Sequence, residues 1–239
     1  MENKQTHLMD ERSTEVYINT AREEEKFKTP LFNMIVDTVL LKSKLTDGVV
    51  LDIGCGPGQL SRRLAKVNPK LKVIGVDLSP NMIEGATIMA REENLSNVEF
   101  MIGNVENLPF ADQYADLTIS MGSLLCWENP VRGLQELYRV TRENCYIYLR
   151  DLCRDAPQEA IDHIVGFMNH PKRVEGFKKA VADAYSMNEF EGLLKQAGFT
   201  NFEMSVGFPE DVRFKHIPHY TKGQSISDVG FQAFITREK

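Results

Sequence analysis

Val49-Val50-Leu51-Asp52-Ile53-Gly54-Cys55-Gly56-Pro57-Gly58 decides the fold. Its first half is a short apolar run rich in β-branched residues, the pattern of a strand buried on both faces. Its second half carries glycine at every other position, and Gln59 to Val67 then reads as a helix. Glycines at such a strand-to-helix turn allow positive φ and let a ligand come close to the main chain. The spacing is Gly-x-Gly-x-Gly. A dinucleotide fingerprint needs its third glycine at position 59, which is Gln59 here, so the spacing speaks against a nicotinamide dehydrogenase. By themselves the glycines also fit a plain turn.

Downstream, Lys72 to Asp77 reads as a second strand that ends in an acid nineteen residues past Gly58. A carboxylate there can accept hydrogen bonds from both hydroxyls of a ribose; its other reading is a turn aspartate before Ser79. Ser79-Pro80 opens a helix, because serine caps free N–H groups and proline fits the first turn. Val98–Ile102 and Ala115–Ser120 read as strands, Pro130–Thr141 as a helix with Val131, Leu134 and Tyr138 on one face, and Cys145–Leu149 as a fifth strand. Alternating strands and helices predict a parallel sheet covered on both faces. Further on, Asp155–Ala184 reads as one or two helices. Ser186-Met187-Asn188-Glu189 is a capping box, and Phe190, Leu193, Leu194 and Ala197 follow at helical spacing before Gly198. Phe202–Val206 and Gly230–Thr236 are strands that add to the sheet edge as an antiparallel pair. Upstream, residues 1–28 are polar, with a charged run Arg22–Lys26, and read as a solvated helix or arm. Leu31–Leu41 is an amphipathic helix.

The expected fold is therefore α/β: a Rossmann-like, seven-stranded, mostly parallel sheet with helices on both faces and an antiparallel C-terminal edge strand. One domain is expected over 1–239, with an N-terminal arm and helix (1–45), a ligand-binding core (46–151), a helical insert (152–185) and a C-terminal helix with edge strands (186–239). Of the 239 residues, 42% are hydrophobic and 26% charged, which excludes global disorder. The formal net charge of −6 disfavours a chain whose whole surface grips nucleic acid or anionic lipid. No stretch approaches the roughly 18 apolar residues of a membrane span, and the first residues carry no apolar signal core, so a cytoplasmic location is expected. Cys55, Cys126, Cys145 and Cys153 show no Cys-x-x-Cys spacing and read as reduced, mostly buried thiols.

Val49–Gly58, Val73–Met82, Gly103–Phe110 and Tyr114–Trp127, in this order, resemble the successive motifs of class I S-adenosylmethionine-dependent methyltransferases, in their small-molecule, type 11-like branch. Leu134–Asp151 resembles the helix and strand that follow, with a weaker echo at Met187–Phe199. The resemblance implies S-adenosylmethionine as cofactor, S-adenosylhomocysteine as product and a small-molecule acceptor. It implies that Gly54, Gly56 and Gly58, with Cys55 among them, pass beside the methionine and ribose. By the same carry-over Asp52 helps hold the methionine amino group, directly or through water, and Asp77 holds the ribose hydroxyls. Leu78 and Met82 pack on adenine, Asn104 and Val105 edge it, and Ser120 and Met121 face the transferable methyl. Two departures stand out. Gly103-Asn104-Val105 replaces the usual Gly-Asp-Ala. Aspartate can only accept the adenine amino hydrogen; asparagine can still accept it through its amide oxygen, so binding is expected to be weaker or re-tuned, not lost. Thr141-Arg142-Glu143-Asn144 replaces Lys-Pro-Gly-Gly and contains no glycine.

Methyl transfer from a sulfonium is an in-line displacement, so the protein mainly aligns a nucleophile and excludes water. A general base is needed only where the nucleophile must lose a proton, and no fixed catalytic motif is visible. Candidates are Tyr17 in the arm, Glu128 (otherwise a helix cap), Asp151 (otherwise an ion pair with Arg150), and His216 and His219. The two histidines share a cationic segment with Arg213, Lys215, Tyr220 and Lys222, which reads as a solvated loop or as a contact for an acidic substrate, not as a metal motif. Trp127 reads equally as a pocket wall or as packing under the next helix. Cys126 and Cys153 both follow strand ends, which leaves a thiol-bound metalloid acceptor conceivable. Two other classes stay open: an S-adenosylmethionine-binding protein that does not methylate, and a methyltransferase acting on RNA or protein.

Overall fold

The computed structural model describes residues 14–168, 171–208 and 226–237. Helix α1 spans Thr14–Ser43, strand β1 Gly48–Ile53, α2 Gln59–Val67, β2 Leu71–Asp77, α3 Pro80–Glu92, β3 Val98–Ile102 and β4 Ala115–Met121. A 3-10 turn covers Leu124–Cys126. Then follow α4 Pro130–Val140, β5 Thr141–Leu152, α5 Gln158–Gly166, α6 Pro171–Asp183, α7 Met187–Gln196 and β6 Phe202–Val206. A second 3-10 turn, Ile226–Val229, leads into β7 Gly230–Thr236.

All seven strands form one sheet in the order β3-β2-β1-β4-β5-β7-β6. Strands β1 to β5 pair in parallel, while β7 runs antiparallel to both β5 and β6. The C-terminal strand thus enters antiparallel, as expected, and sits one place in from the edge that β6 forms. Composition explains the placement. Gly230-Phe231-Gln232-Ala233-Phe234-Ile235 is buried throughout, whereas β6 alternates with exposed Glu203 and Ser205. The more apolar strand takes the position with two neighbours.

Two apolar layers flank the sheet. Leu51, Ile53, Ile74 and Val76 pack with Leu134, Leu137, Phe190 and Leu194 on one face. Val50, Val73, Leu117 and Ile119 pack with Leu31, Ile35, Val39, Leu60 and Leu64 on the other. Burying each such side chain stabilises the fold by about 1.5–3 kcal/mol. The helix starts follow the capping rules. Asn129 Oδ1 accepts from Arg132 N (3.0 Å), Ser79 Oγ from Met82 N (3.4 Å), and Ser186 with Glu189 completes a reciprocal capping box.

Two elements run further than their sequence suggests. α1 is continuous through Pro30, where a solvated helix or arm and a separate amphipathic helix were expected. Ile18 and Ala21 bury against Met89 of α3, and the buried Arg62 pairs with both Glu25 of α1 and Glu93 at the end of α3. β5 begins directly after α4, at Thr141. Asn144 takes φ 60° there, a left-handed conformation that asparagine tolerates better than most residues. A turn without glycine is therefore accommodated. Asp155–Ala184 resolves into two helices, α5 and α6. Among the described residues no helix is long and apolar enough to cross a membrane.

Candidate functional site

The chain leaves β1 toward β2 on one side and returns as β4 on the other, so the connections diverge at the carboxyl end of β1. In an open parallel sheet this divergence makes a crevice beyond the strand ends. The loops after β1, β2, β3, β4 and β5 all open on that edge.

The glycine loop is laid over the tip of β2, because Gly54 N and Cys55 N both donate to Val76 O (2.8 and 3.0 Å). Gly54, Gly56 and Gly58 have φ of 70°, 53° and 73°. A Cβ on Gly54 would lie 2.4 Å from Ser123 Cβ, and one on Gly58 2.6 Å from the Phe100 ring. At Gly56 a Cβ would meet nothing within 4 Å. Gly54 and Gly58 are thus demanded by packing, whereas Gly56 turns toward open space.

Asp77 ends β2 and closes this loop from beneath. Gly56 N donates to its Oδ2 (2.8 Å) and Ser79 N to its Oδ1 (2.9 Å). Burial raises its carboxyl, with the N–H groups of Ser79 and Gly56 pulling the other way. With the Leu78 N–H also acting on it, the carboxylate keeps some acceptor capacity for a ligand hydroxyl. Asp52 lies deeper, at the end of β1, where Ser61 Oγ of α2 donates to its Oδ2 at 2.5 Å. Burial, added to the charge of Asp77, pushes the Asp52 carboxyl up to about 7. The Cys55 thiol is driven well up by burial and then by Asp52 and Asp77.

Gly103 N donates to Asp77 O (3.0 Å), which fixes Asn104 two residues beyond the end of β3. Asn104 is exposed, and its Oδ1 accepts from Glu106 N (2.9 Å). Val105 turns its side chain toward α4, where a Cβ on Gly133 would stand 3.3 Å from Val105 Cγ2. Leu78 is exposed, and Met82 is half-buried in the first turn of α3.

At the end of β4, Ser120 Oγ is hydrogen-bonded to Ser123 Oγ just beyond the strand (2.8 Å), and Trp127 Nε1 donates to Ser123 Oγ (3.1 Å). A Cβ on Gly133 would reach the Trp127 ring at 2.6 Å, so the indole packs under α4 with its N–H satisfied. Met121 is half-buried and packs with the layer beneath α1 and α2. Asp151 is buried at the end of β5. Leu124 N donates to its Oδ2 (2.9 Å) and Leu152 N to its Oδ1 (2.8 Å), so the carboxylate holds the 3-10 turn. Burial pushes this carboxyl up to about 6, opposed by the N–H groups of Leu152 and Leu124 and then by Arg150. The half-buried Cys126 thiol is pushed up to about 11, first by burial and then by Asp151 and Asp77. Glu128 is exposed, and the cap of α4 is Asn129. Cys153 is buried.

Tyr17 lies on α1, its side chain outside what is described. His216 and His219, with Arg213, Lys215, Tyr220 and Lys222, lie outside the described residues. Among the described residues no group of three or more His, Cys, Asp or Glu is placed to hold a metal. Three carboxylates, Asp52, Asp77 and Asp151, therefore stand at the carboxyl edge of the sheet, each pushed up by burial. Such an edge carries negative potential and suits a ligand with a positive centre. Sequence reading missed two residues that organise it, Ser61 and Ser123. Ser61 is a small polar residue on the same buried stripe as Leu64 and Ala65, and Ser123 follows Gly122 at φ 68°. Those were the available signals.

A family model described as a methyltransferase domain matches residues 44–198. A demethylmenaquinone methyltransferase of Porphyromonas gingivalis is 32% identical over 167 residues, 67% of this chain and 68% of that protein. An arsenite methyltransferase of Halobacterium salinarum is 28% identical over 191 residues, 80% of this chain but 46% of that protein. The chain thus spans less than half of the latter's length. A solved structure from Methanococcus maripaludis, 23% identical, has a TM-score of 0.73 over 97% of this chain and 98% of its own, and so shares the fold.

Proposed function

The chain belongs to the methyltransferase-domain family, and from that premise we propose that it moves a methyl group from S-adenosylmethionine to a small-molecule acceptor. The observation that carries the reading is Asp77. Its carboxylate is half-buried at the tip of β2, fastened to Gly56 N, and has acceptor capacity left beside a glycine that faces open space. That donor and acceptor set fits a ribose diol against a bare backbone. The remaining residues fit the same ligand. Asp52 would pair with the ammonium of its amino-acid end. Leu78 and Met82 would offer apolar cover for the base, and Asn104 would stand at the base edge.

Bound S-adenosylmethionine supplies an electrophilic methyl on a sulfonium, which an acceptor displaces in line. The chain's own contribution is placement and exclusion of water. Asp77 and the glycine loop fix the donor end. Ser120 and Met121, the last two residues of β4, would stand at the end of the strand where an acceptor would enter. Asp151 acts there by holding the turn Leu124–Cys126 in place. A small-molecule acceptor is supported by the relatives, named for a quinone precursor and for arsenite, and by the net negative charge. The chain works as one unit from α1 to β7, since α1 packs on the sheet and α5 buries Ile161 against Val229 at the foot of β7.

Calorimetric titration with S-adenosylmethionine and S-adenosylhomocysteine tests the donor site. Micromolar binding of both is expected, with Asp77→Ala weakening it by a hundredfold or so through two lost hydrogen bonds and a freed loop. Binding of neither by the unaltered chain would sink the proposal. Labelled methyl transfer to demethylated quinols and to arsenite then tests the acceptor class. Cofactor binding with no product from any acceptor would put a non-methylating, S-adenosylmethionine-binding protein in its place.

A further inference from the structure

Position 104 carries an amide at the site proposed for the base edge. An amide has one accepting end and one donating end, whereas a carboxylate accepts at both. The turn Asn104–Asn107 decides which end faces outward. Glu106 N donates to Asn104 Oδ1 at 2.9 Å, and Asn107 N donates to Asn104 O at 3.0 Å. Only the oxygen of the amide can receive a backbone N–H, so the group cannot be reversed without losing that bond. Its Nδ2, with both hydrogens, is the other end of the same planar group, on an exposed side chain. Gly103 N, bonded to Asp77 O, holds this end in fixed relation to the carboxylate proposed for the ribose.

We propose that Asn104 is a specificity-determining residue that presents a hydrogen-bond donor to the purine base of the cofactor. The proposal rests on the cofactor reading above. An adenine amino group turned toward Nδ2 sets donor against donor. A base with an oxo group at the same ring position offers an acceptor and pairs. Aspartate at 104 would reverse the preference, because one oxygen would still take Glu106 N while the other could only accept. The chain therefore discriminates weakly against a six-oxo purine, and a single substitution restores strict reading of the amino group.

The experiment measures binding of S-adenosylhomocysteine and S-inosylhomocysteine to the full chain and to Asn104→Asp by calorimetry. The quantity read is the ratio of the two dissociation constants in each protein, so that general effects of the substitution cancel. Asn104→Asp keeps the acceptor for Glu106 N and hence the turn, which an unchanged melting temperature checks. The ratio of the inosyl to the adenosyl constant is expected to rise about tenfold or more in the variant, since one pairing and one mismatch change places. A rise under threefold, or a fall, with S-adenosylhomocysteine still bound, overturns the proposal and leaves the cofactor reading standing. Failure of the unaltered chain to bind S-adenosylhomocysteine overturns both.

Discussion

Asp52 is buried, bonded by one hydroxyl from Ser61 and repelled by Asp77, and it holds its proton up to about pH 7. In an unfolded chain the same carboxyl loses that proton near pH 4. The folded state therefore binds more protons between those values, and its stability falls as pH rises through that window. Above about pH 7 the whole penalty remains. Asp52→Asn, which keeps an acceptor for Ser61, should stabilise the ligand-free protein at pH 8 by up to about 4 kcal/mol. The gain should vanish toward pH 4, and thermal melts of both proteins across pH measure it. A gain equal at pH 4 and pH 8 would show that the carboxyl is not perturbed. The cation-binding role proposed for Asp52 makes the same substitution weaken S-adenosylmethionine binding, so stability and function oppose each other at this one atom pair.

At the scale of elements, the glycine loop separates folding from binding. Gly56→Ala introduces a side chain at φ 53° but meets no neighbour, so it should cost about 1–2 kcal/mol of stability. Gly58→Ala has the same φ problem and also collides with Phe100 and Ala86, so about 2–4 kcal/mol is expected. Denaturant unfolding and cofactor titration of the pair should therefore cross over. Gly56→Ala keeps the fold but blocks the ligand, and Gly58→Ala loses chiefly the fold. Equal losses of binding and stability in both would contradict the assignment of Gly56 to the ligand face. Much of this scale was legible beforehand. Helix 59–67 and strands 98–102, 202–206 and 230–236 carry their own stop signals and fall where expected. The loop between Ile53 and Gln59 could be placed at the sheet edge because a strand and a helix bracket it. What escaped notice depends on partners remote in sequence. The continuity of α1 rests on Arg62 and Met89, and the role of Ser61 on a carboxylate nine residues before it. Asn104 could be flagged as unusual, but which end of its amide faces outward follows only from Glu106 N.

For the molecule as a whole, the last strand in sequence is an interior strand in space. β7 supplies hydrogen bonds to β5 on one side and to β6 on the other, and Phe231 stacks on Phe190 at 4.3 Å. Such non-local pairing cannot form until the C-terminal segment is present. A chain stopped after Asp228 should leave β5 without its outer partner and β6 with none, so unfolded or aggregated protein is expected. Circular dichroism and sedimentation of that truncation measure it. A soluble, folded fragment would mean that β1 to β5 suffice.

The two outermost strands, β3 and β6, are also the two shortest, at five residues each. Each carries an exposed glutamate that is paired with a lysine of the neighbouring structure, Glu99 with Lys72 and Glu203 with Lys42. A short strand studded with charge is a poor template for the strand of another molecule. The sheet thus ends on both sides in a border that discourages one copy from extending into the next. That protection is needed at both rims, where Ile102 of β3 and Val206 of β6 leave apolar surface open.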